Sequence, residues 1–322
     1  MRSLVTGGAG FIGSHLVDAL LGSGDDVVAF DNLSSGNRGN LDGALAAGAE
    51  LVLGDVTDAP AVASLFADAA PDRVFHLAAQ VDVRRAVADP QFDAEVNVVG
   101  TINVLEAARP RRTPIVLAST GGAIYGEGEG RDLPLDESSS CRPEAPYGMS
   151  KLAAEGYLDV SRRVHGVPGV ALRLGNVYGP RQDPHGEAGV IAIFAGRLLA
   201  GEAPVVYGDG LQTRDYVYAT DVVDAFKASA ERLGGEASGL GAPINVATGV
   251  ETTVLELVQL MGSLLPDGAA EPSHEESRAG EVARISLDCE RARRELGWQP
   301  RMSLSDGLEA TLASVRSGSR AG

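Results

Sequence analysis

Leu4-Val5-Thr6-Gly7-Gly8-Ala9-Gly10-Phe11-Ile12-Gly13 is an apolar run that breaks into glycines and resumes as Phe11, Ile12, Leu16 and Leu20. That order predicts a strand, a tight turn and a helix. Gly8, Gly10 and Gly13 fit the spacing G-x-G-x-x-G, while Gly7, Gly10 and Gly13 fit a closely related one. Both readings carry the same physics. One glycine permits the turn, another lets the backbone come within hydrogen-bond reach of a pyrophosphate, and the last lets the helix pack close to the strand. The helix N-terminus then faces the phosphates with unpaired N–H groups and the positive end of its dipole.

The flanks support a dinucleotide. Asp31 follows the third glycine by 18 positions, directly after the apolar run Val27-Val28-Ala29-Phe30. A carboxylate there accepts both ribose hydroxyls of NAD and repels the extra phosphate of NADP, so NAD is the expected cofactor.

At 322 residues the chain is long for one core and suits two modest domains. Its 44% hydrophobic and 22% charged residues are those of an ordinary globular protein. No apolar run reaches the length of a membrane span, and the N-terminus enters a strand without the zones of a signal peptide, so a cytoplasmic location is expected. Cys141 and Cys289 form neither a ligand cluster nor a disulfide framework, and they read as inert thiols; no metal is expected. A net charge of −17 argues against nucleic acid as a partner. An anionic ligand must therefore find locally positive spots.

Along the chain, strands alternate with helical patterns. The polar loop Asn32 to Arg38, with Ser35 in it, is expected near the adenosine end of the cofactor; a plain surface turn is the alternative. Leu51-Val52-Leu53 reads as the next strand, followed by Asp55 and Val56, where a carboxylate can meet the adenine amino group. A helix from Ala61 to Ala69 leads to the strand Arg73 to Leu77 and the small residues Ala78-Ala79-Gln80. Small residues at the carboxyl end of a strand suit a backbone lying against a ligand in the crevice of an open sheet. One long helix is predicted from Phe92 to Arg109, with Asn97 amid valines and placed to satisfy backbone groups. The strand Ile115 to Ala118 ends in Ser119-Thr120-Gly121-Gly122. This alternation predicts an α/β fold, a Rossmann-type doubly wound parallel sheet with a smaller mixed C-terminal substrate domain.

Tyr147-Gly148-Met149-Ser150-Lys151 opens a helix running to Arg163, and residues four apart share a face, so phenol and ammonium point into one site. Beyond the strand Val170 to Leu174 the texture changes to loops and short apolar runs. The expected division is an NAD-binding domain at 1–175 and a nucleotide-sugar domain at 176–322, with Ile244 to Val246 returning to the sheet. A capping box of Thr253 and Glu256 starts a helix there.

These residues carry a resemblance. From Thr6 to His15, Asp31-Asn32, His76 to Ala79, Ser119 to Gly126, Tyr147 to Lys151, Arg173 to Gln182, Asp209 to Val223 and Arg278 to Trp298, the chain resembles the extended short-chain dehydrogenases that act on nucleotide sugars. It is most similar to the UDP-glucose 4-epimerases. The resemblance implies a homodimer and a cofactor cradle of Gly7, Gly10, Phe11, Ile12, Gly13, Asp31, Asn32, Ser35, Asp55, Val56, Leu77, Ala78, Ala79, Gln80, Asn97, Ser119, Tyr147 and Lys151. It implies that Asn176 holds the pyrophosphate or sugar, that Tyr207 lies near the uracil, and that Arg214 and Arg278 clamp the phosphates, with Arg84, Val190, Gln212 and Glu281 also facing the UDP-sugar. Surface ion pairs with Asp215 and Glu281 are the competing reading for the two arginines.

The implied chemistry is inversion at carbon 4 of a UDP-hexose through a 4-keto sugar. Tyr147 takes the proton of the 4-hydroxyl, and Lys151 and the positive nicotinamide ring favour the phenolate. The family also has a Ser or Thr donor to that hydroxyl, and the usual position is occupied here by Gly121. A loop shifted by the double glycine is expected to bring Thr120 into that role. UDP-glucuronate is the alternative substrate. A net oxidoreductase and a non-catalytic dinucleotide sensor are the competing classes, and the intact Tyr147–Lys151 pair counts against the sensor.

Overall fold

The computed structural model describes residues 1–128, 130–184, 189–235, 240–266, 268, 271–277 and 282–318. The strands are β1 (Arg2–Thr6), β2 (Asp26–Asp31), β3 (Glu50–Leu53), β4 (Arg73–His76), β5 (Ile115–Thr120), β6 (Gly169–Leu174), β7 (Asn176–Tyr178), β8 (Val205–Tyr207), β9 (Thr213–Arg214), β10 (Tyr216–Tyr218), β11 (Ile244–Val246), β12 (Thr252–Thr253) and β13 (Ser273–Glu275). The α-helices are α1 (Phe11–Gly22), α2 (Asp42–Ala46), α3 (Ala59–Ala69), α4 (Val83–Ala88), α5 (Pro90–Ala94), α6 (Gly100–Ala108), α7 (Gly121–Ile124), α8 (Pro146–Val160), α9 (Val190–Leu199), α10 (Ala219–Leu233), α11 (Val254–Ser263), α12 (Glu290–Leu296) and α13 (Leu304–Gly318).

Seven strands form one parallel sheet in the order β11-β6-β5-β4-β1-β2-β3. The order reverses direction between β1 and β4, and ligands bind outside the carboxyl ends of the strands at such a switch point. Helices cover both faces, which is why the central strands read as unbroken apolar runs; every residue of β4 and β6 is buried. Edge strand β3 is only partly covered, and Leu53 at its end is 62% exposed.

Two hydrophobic clusters sandwich the sheet. One packs Val5, Leu16, Leu20 and Phe75 against Val222, Phe226 and Leu233 of α10. The other packs Leu4, Val74, Ile115 and Leu117 against Val62, Phe66, Val104, Ala154 and Leu158. Each such fully buried side chain contributes about 1.5 to 3 kcal/mol of transfer free energy. A third cluster, with Tyr178, Phe194, Tyr216, Leu257, Met261, Leu308 and Leu312, lies under the short strands of the second half. β11 and α10 belong to the first body although they come late in sequence, and Trp298 Nε1 donates to Asp221 O at 2.7 Å, tying the C-terminal region to α10.

The local expectations for β1, α1 and α8 agree with the elements observed, and the Thr253–Glu256 capping box is formed. The long helix expected from Phe92 to Arg109 is continuous: α5 passes through a wide π turn at Glu95–Val99 into α6 and closes in a 3-10 turn at Arg109–Arg111. Asn97 lies in that π turn, and its side chain bonds to the chain after β4. α4 and α10 carry no sequence expectation, yet both flank the crevice region.

Candidate active site

The glycine turn is shaped by close approach. Gly7 has φ +71°, and a β-carbon on it would stand 2.7 Å from the Ala78 nitrogen, so only glycine fits there. A β-carbon on Gly13 would overlap Gly7 O, which is the tight helix–strand packing anticipated from the spacing. Gly10 is the N-cap of α1 and offers no capping side chain, leaving the helix N-terminus open to an anion. Phe11 and Ile12 begin that helix.

Asp31 is 8% exposed at the end of β2. Its Oδ2 accepts from Ala9 N–H at 2.9 Å and its Oδ1 from Leu33 N–H at 2.8 Å, so the carboxylate is fixed beside the glycine turn. Asn32 Nδ2 donates to Asp55 Oδ2 at 2.7 Å, and Thr57 donates twice to Asp55 Oδ1, bringing the expected adenosine-side residues together beside buried Val56. Burial raises the Asp55 pKa, but these hydrogen bonds outweigh it and the net shift is downward. Ser35 is exposed on the adjoining loop. A dinucleotide fits this cradle: a turn stripped of β-carbons, an open helix N-terminus and a carboxylate at the next strand end.

At the centre, α8 lays its N-terminal half over the end of β5. The Thr120 side chain lies close enough to the Tyr147 phenol to lower its pKa. Lys151, 5% exposed, donates from Nζ to Ala118 O at 3.1 Å. Burial, and secondarily the charge of Asp93, pushes the Tyr147 phenol well above its usual range, while Thr120 opposes this. Burial pulls the Lys151 ammonium down to about 8 against the opposing carboxylates of Asp93 and Glu155.

The register of the catalytic hydroxyl has a steric cause. A β-carbon on Gly121 would overlap the tip of the buried Leu287 side chain, so a serine there requires Leu287 to shift; backbone freedom is not the reason for glycine, because its φ is not left-handed. Asn176 Oδ1 would lie 3.4 Å from a β-carbon on Gly122, with Thr120 Oγ1 at 3.9 Å, which sets the Asn176 amide beside Thr120.

The Ser119 side chain is engaged within the protein. Its hydroxyl donates to Glu155 Oε1 at 2.6 Å, away from the cofactor cradle. Glu155 is held by Arg173, whose Nη2 reaches Oε2 at 2.7 Å, and Arg173 Nη1 donates to Tyr125 OH at 2.9 Å. Tyr125 in turn donates to Asn245 Oδ1 at 2.8 Å. This network ties β5, α8, β6 and β11 together beneath the site.

Asn97 likewise turns to the protein: its Oδ1 accepts from Gln80 N–H at 3.0 Å and its Nδ2 donates to Gln80 O and to Asp93 Oδ1. Gln80, which follows Leu77, Ala78 and Ala79, donates from Nε2 to Asp93 Oδ1 at 2.9 Å. His76 lies behind them, with Nδ1 at 2.7 Å from Thr6 Oγ1 and Nε2 at 3.1 Å from Thr101 Oγ1. Thr101 donates onward to Asn97 O and Ala78 N–H donates to Thr6, so the network assigns the proton to Nε2. Burial, then the Lys151 charge, holds His76 down at about 3 and therefore neutral.

Asp93, Glu155 and Arg173 received no site role from the sequence. A signal existed: Asp93, Asn97 and Thr101, and separately Tyr147, Lys151 and Glu155, recur at four-residue spacing and so share helix faces.

The second half supplies the remaining candidates. Arg214 Nη1 donates to Thr213 O and Val282 O, and Gln212 Nε2 donates to Tyr207 O at 3.0 Å. Asp215 does not act as the surface partner considered for Arg214. It is 1% exposed and accepts from Thr248 N–H and O–H, Gly249 N–H and Leu287 N–H. Val190 starts α9, and Arg84 is exposed on α4. Arg278 and Glu281 lie outside the described residues.

The sequence pattern of the GDP-mannose 4,6 dehydratase family matches residues 4–311. UDP-glucose 4-epimerase of Mycolicibacterium smegmatis is 46% identical over 324 residues, covering 99% of this chain and 100% of that one. The crystal structure of UDP-glucose 4-epimerase from Thermotoga maritima with UDP-glucose superposes with a TM-score of 0.92 at 40% identity, covering 99% of both chains. That of the Thermus thermophilus UDP-glucose 4-epimerase complex with NAD superposes with a TM-score of 0.87 at 41% identity, covering 98% of this chain and 99% of that one. With the glycine turn, the fixed Asp31 and the Tyr147–Lys151 pair in place, the chain belongs to the extended short-chain dehydrogenase family, an NAD-dependent family, and within it to the nucleotide-sugar 4-epimerases.

Proposed function

We propose that the protein interconverts UDP-glucose and UDP-galactose. The observation that carries this reading is Thr120 at the end of β5 beside Tyr147 of α8, with buried Lys151 one helical turn on, a set of groups suited to proton transfer. NAD, when bound, supplies a reversible hydride acceptor for carbon 4 of the sugar. Tyr147 removes the proton of the 4-hydroxyl and later returns it. Thr120 and the Lys151 ammonium both favour the phenolate, the first as a nearby hydroxyl and the second electrostatically. Asn176, beside Thr120, is assigned to the sugar or its pyrophosphate, with Tyr207 toward the base and Arg214 on phosphate; Arg84, Val190 and Gln212 complete that wall.

After Thr120 come Gly121, Gly122 and Ala123, so no acidic residue stands where elimination or decarboxylation would need one. This favours simple epimerisation. UDP-glucuronate is the competing substrate. The test supplies UDP-glucose and UDP-glucuronate separately, without added oxidant or reductant, and follows product by NMR. UDP-galactose from the first is the expected result; turnover of the second alone, or NADH released in proportion to product, overturns the reading.

The resemblance further supports a homodimer acting in the cytoplasm. Met149, Tyr157, Val160 and Val164 on and just beyond α8, with Val87 of α4 and Val99, are exposed, an apolar area of the kind a second copy covers. No helix among the described residues is long and apolar enough to cross a membrane. Sedimentation at the monomer mass at micromolar concentration would refute the dimer.

A further inference from the structure

Asp93 is fully buried in α5, with 0% exposure. Its Oδ1 accepts two amide donors, Gln80 Nε2 at 2.9 Å and Asn97 Nδ2 at 3.0 Å, an arrangement that suits an ionised carboxylate. Its Oδ2 has no hydrogen-bond partner among the described residues. A buried carboxylate with an unused oxygen costs several kcal/mol unless a positive charge answers it. The charged and titratable groups around it come from β4, α8, β6 and α4. His76 from β4 is neutral at any working pH. Glu155, from α8, is already neutralised by the Arg173 fork from β6. Tyr147, also on α8, is a neutral phenol at rest. Arg84 and Arg85 of α4 are exposed to solvent, with Arg85 lying over the Phe92 ring, so Lys151 is the remaining buried cation; Asp93 raises its pKa, and its Nζ bond to Ala118 O supplies no counter-charge.

We propose that Asp93 is a positioning residue whose buried negative charge is the counter-ion of Lys151 and keeps that side chain in its ammonium form. It fixes the chain after β4 through Oδ1 and answers the lysine charge through space. The inference deepens the proposed function and rests on it for what the ammonium does to Tyr147. The direct test does not rest on it.

That test uses an unusual property of the chain: it has only two lysines, Lys151 and Lys227. Lys227 sits at the surface with Nζ on Ser23 Oγ, and serves as internal reference. The NAD-loaded protein is labelled with lysine carrying carbon-13 at Cε, and the two signals are titrated by NMR without any sugar. In Asp93→Asn, which keeps shape and removes charge, the Lys151 midpoint should fall by about 1 pH unit relative to the parent, while Lys227 does not move. Asp93→Glu should stay close to the parent. In turnover assays the alkaline limb of the Asp93→Asn profile should move down with the lysine midpoint, because the ammonium is lost at lower pH; a purely structural defect would lower turnover without moving that limb. An unchanged Lys151 midpoint in folded Asp93→Asn overturns the proposal. If that variant fails to fold, the parent decides: a Lys151 midpoint near or above 8 supports the counter-ion, and one below neutrality overturns it. A protein that shows the lysine shift but turns over no UDP-hexose keeps the ion pair and rejects the substrate reading instead.

Discussion

Tyr147→Phe is expected to lower epimerisation roughly 10²- to 10⁴-fold while NAD and UDP-sugar still bind, the usual worth of a positioned acid–base group. The change removes one oxygen and leaves the ring, which is half-buried and whose hydroxyl lies near Thr120. Burial and Asp93 together hold the free phenol above its ordinary range, so it is protonated at rest. Positive charge must therefore favour its ionised form during turnover, and Lys151 is positioned one helical turn away to supply it. The check is steady-state turnover with calorimetric binding of cofactor and UDP-sugar on the same variant. Near-normal turnover would remove Tyr147 from the chemistry. Lost binding would instead make it a structural residue.

Arg173→Met should destabilise the fold by about 3 to 5 kcal/mol, the range for removing one partner of a buried ion pair. Arg173 and Glu155 are each 6% exposed and joined at 2.7 Å, so the variant leaves a carboxylate enclosed with only the Ser119 hydroxyl for company. Tyr125 would also lose the guanidinium donor that accompanies its bond to Asn245. Because Glu155 lies on the helix that carries Tyr147 and Lys151, turnover should fall along with stability. Replacing both partners, Glu155→Met with Arg173→Met, should recover part of the loss, since no charge is then stranded. Denaturant unfolding of the three proteins measures this. A single variant within about 1 kcal/mol of the parent would show that water reaches Glu155 and that the network is not a support of α8.

How much of this was legible depends on the range over which each feature is decided. The glycine turn is local: three glycines, an apolar strand before them and an apolar helix after them fix β1, the turn and α1 within thirteen residues, and Asp31 follows at the end of the next strand. Tyr147 and Lys151 are also a local matter, because four residues make about one helical turn. Thr253 and Glu256 announce their helix for the same reason. The alternation of strands and helices sets the fold class.

Tertiary structure alone decided the rest. Ser119 and Thr120 are neighbours with alike side chains, and successive strand residues point to opposite faces. Only the pairing of β5 with β6 puts Ser119 beside Arg173, on the face where Ile115 and Leu117 meet α8, and leaves Thr120 at the strand end for Tyr147. Gly121 is favoured by Leu287, which is 166 positions away in sequence and adjacent in space. The π turn in the helix after Phe92 holds Asn97, which bonds to Gln80 after β4, a long-range contact that helical periodicity does not contain. Asp93 reads in the sequence as one more acid in a chain of net charge −17, and only its full burial with Gln80 and Asn97 as partners sets it apart. Sequence settles what backbone geometry dictates over a few residues; which side chains share an enclosed, low-dielectric space is settled by packing between segments that the sequence keeps far apart.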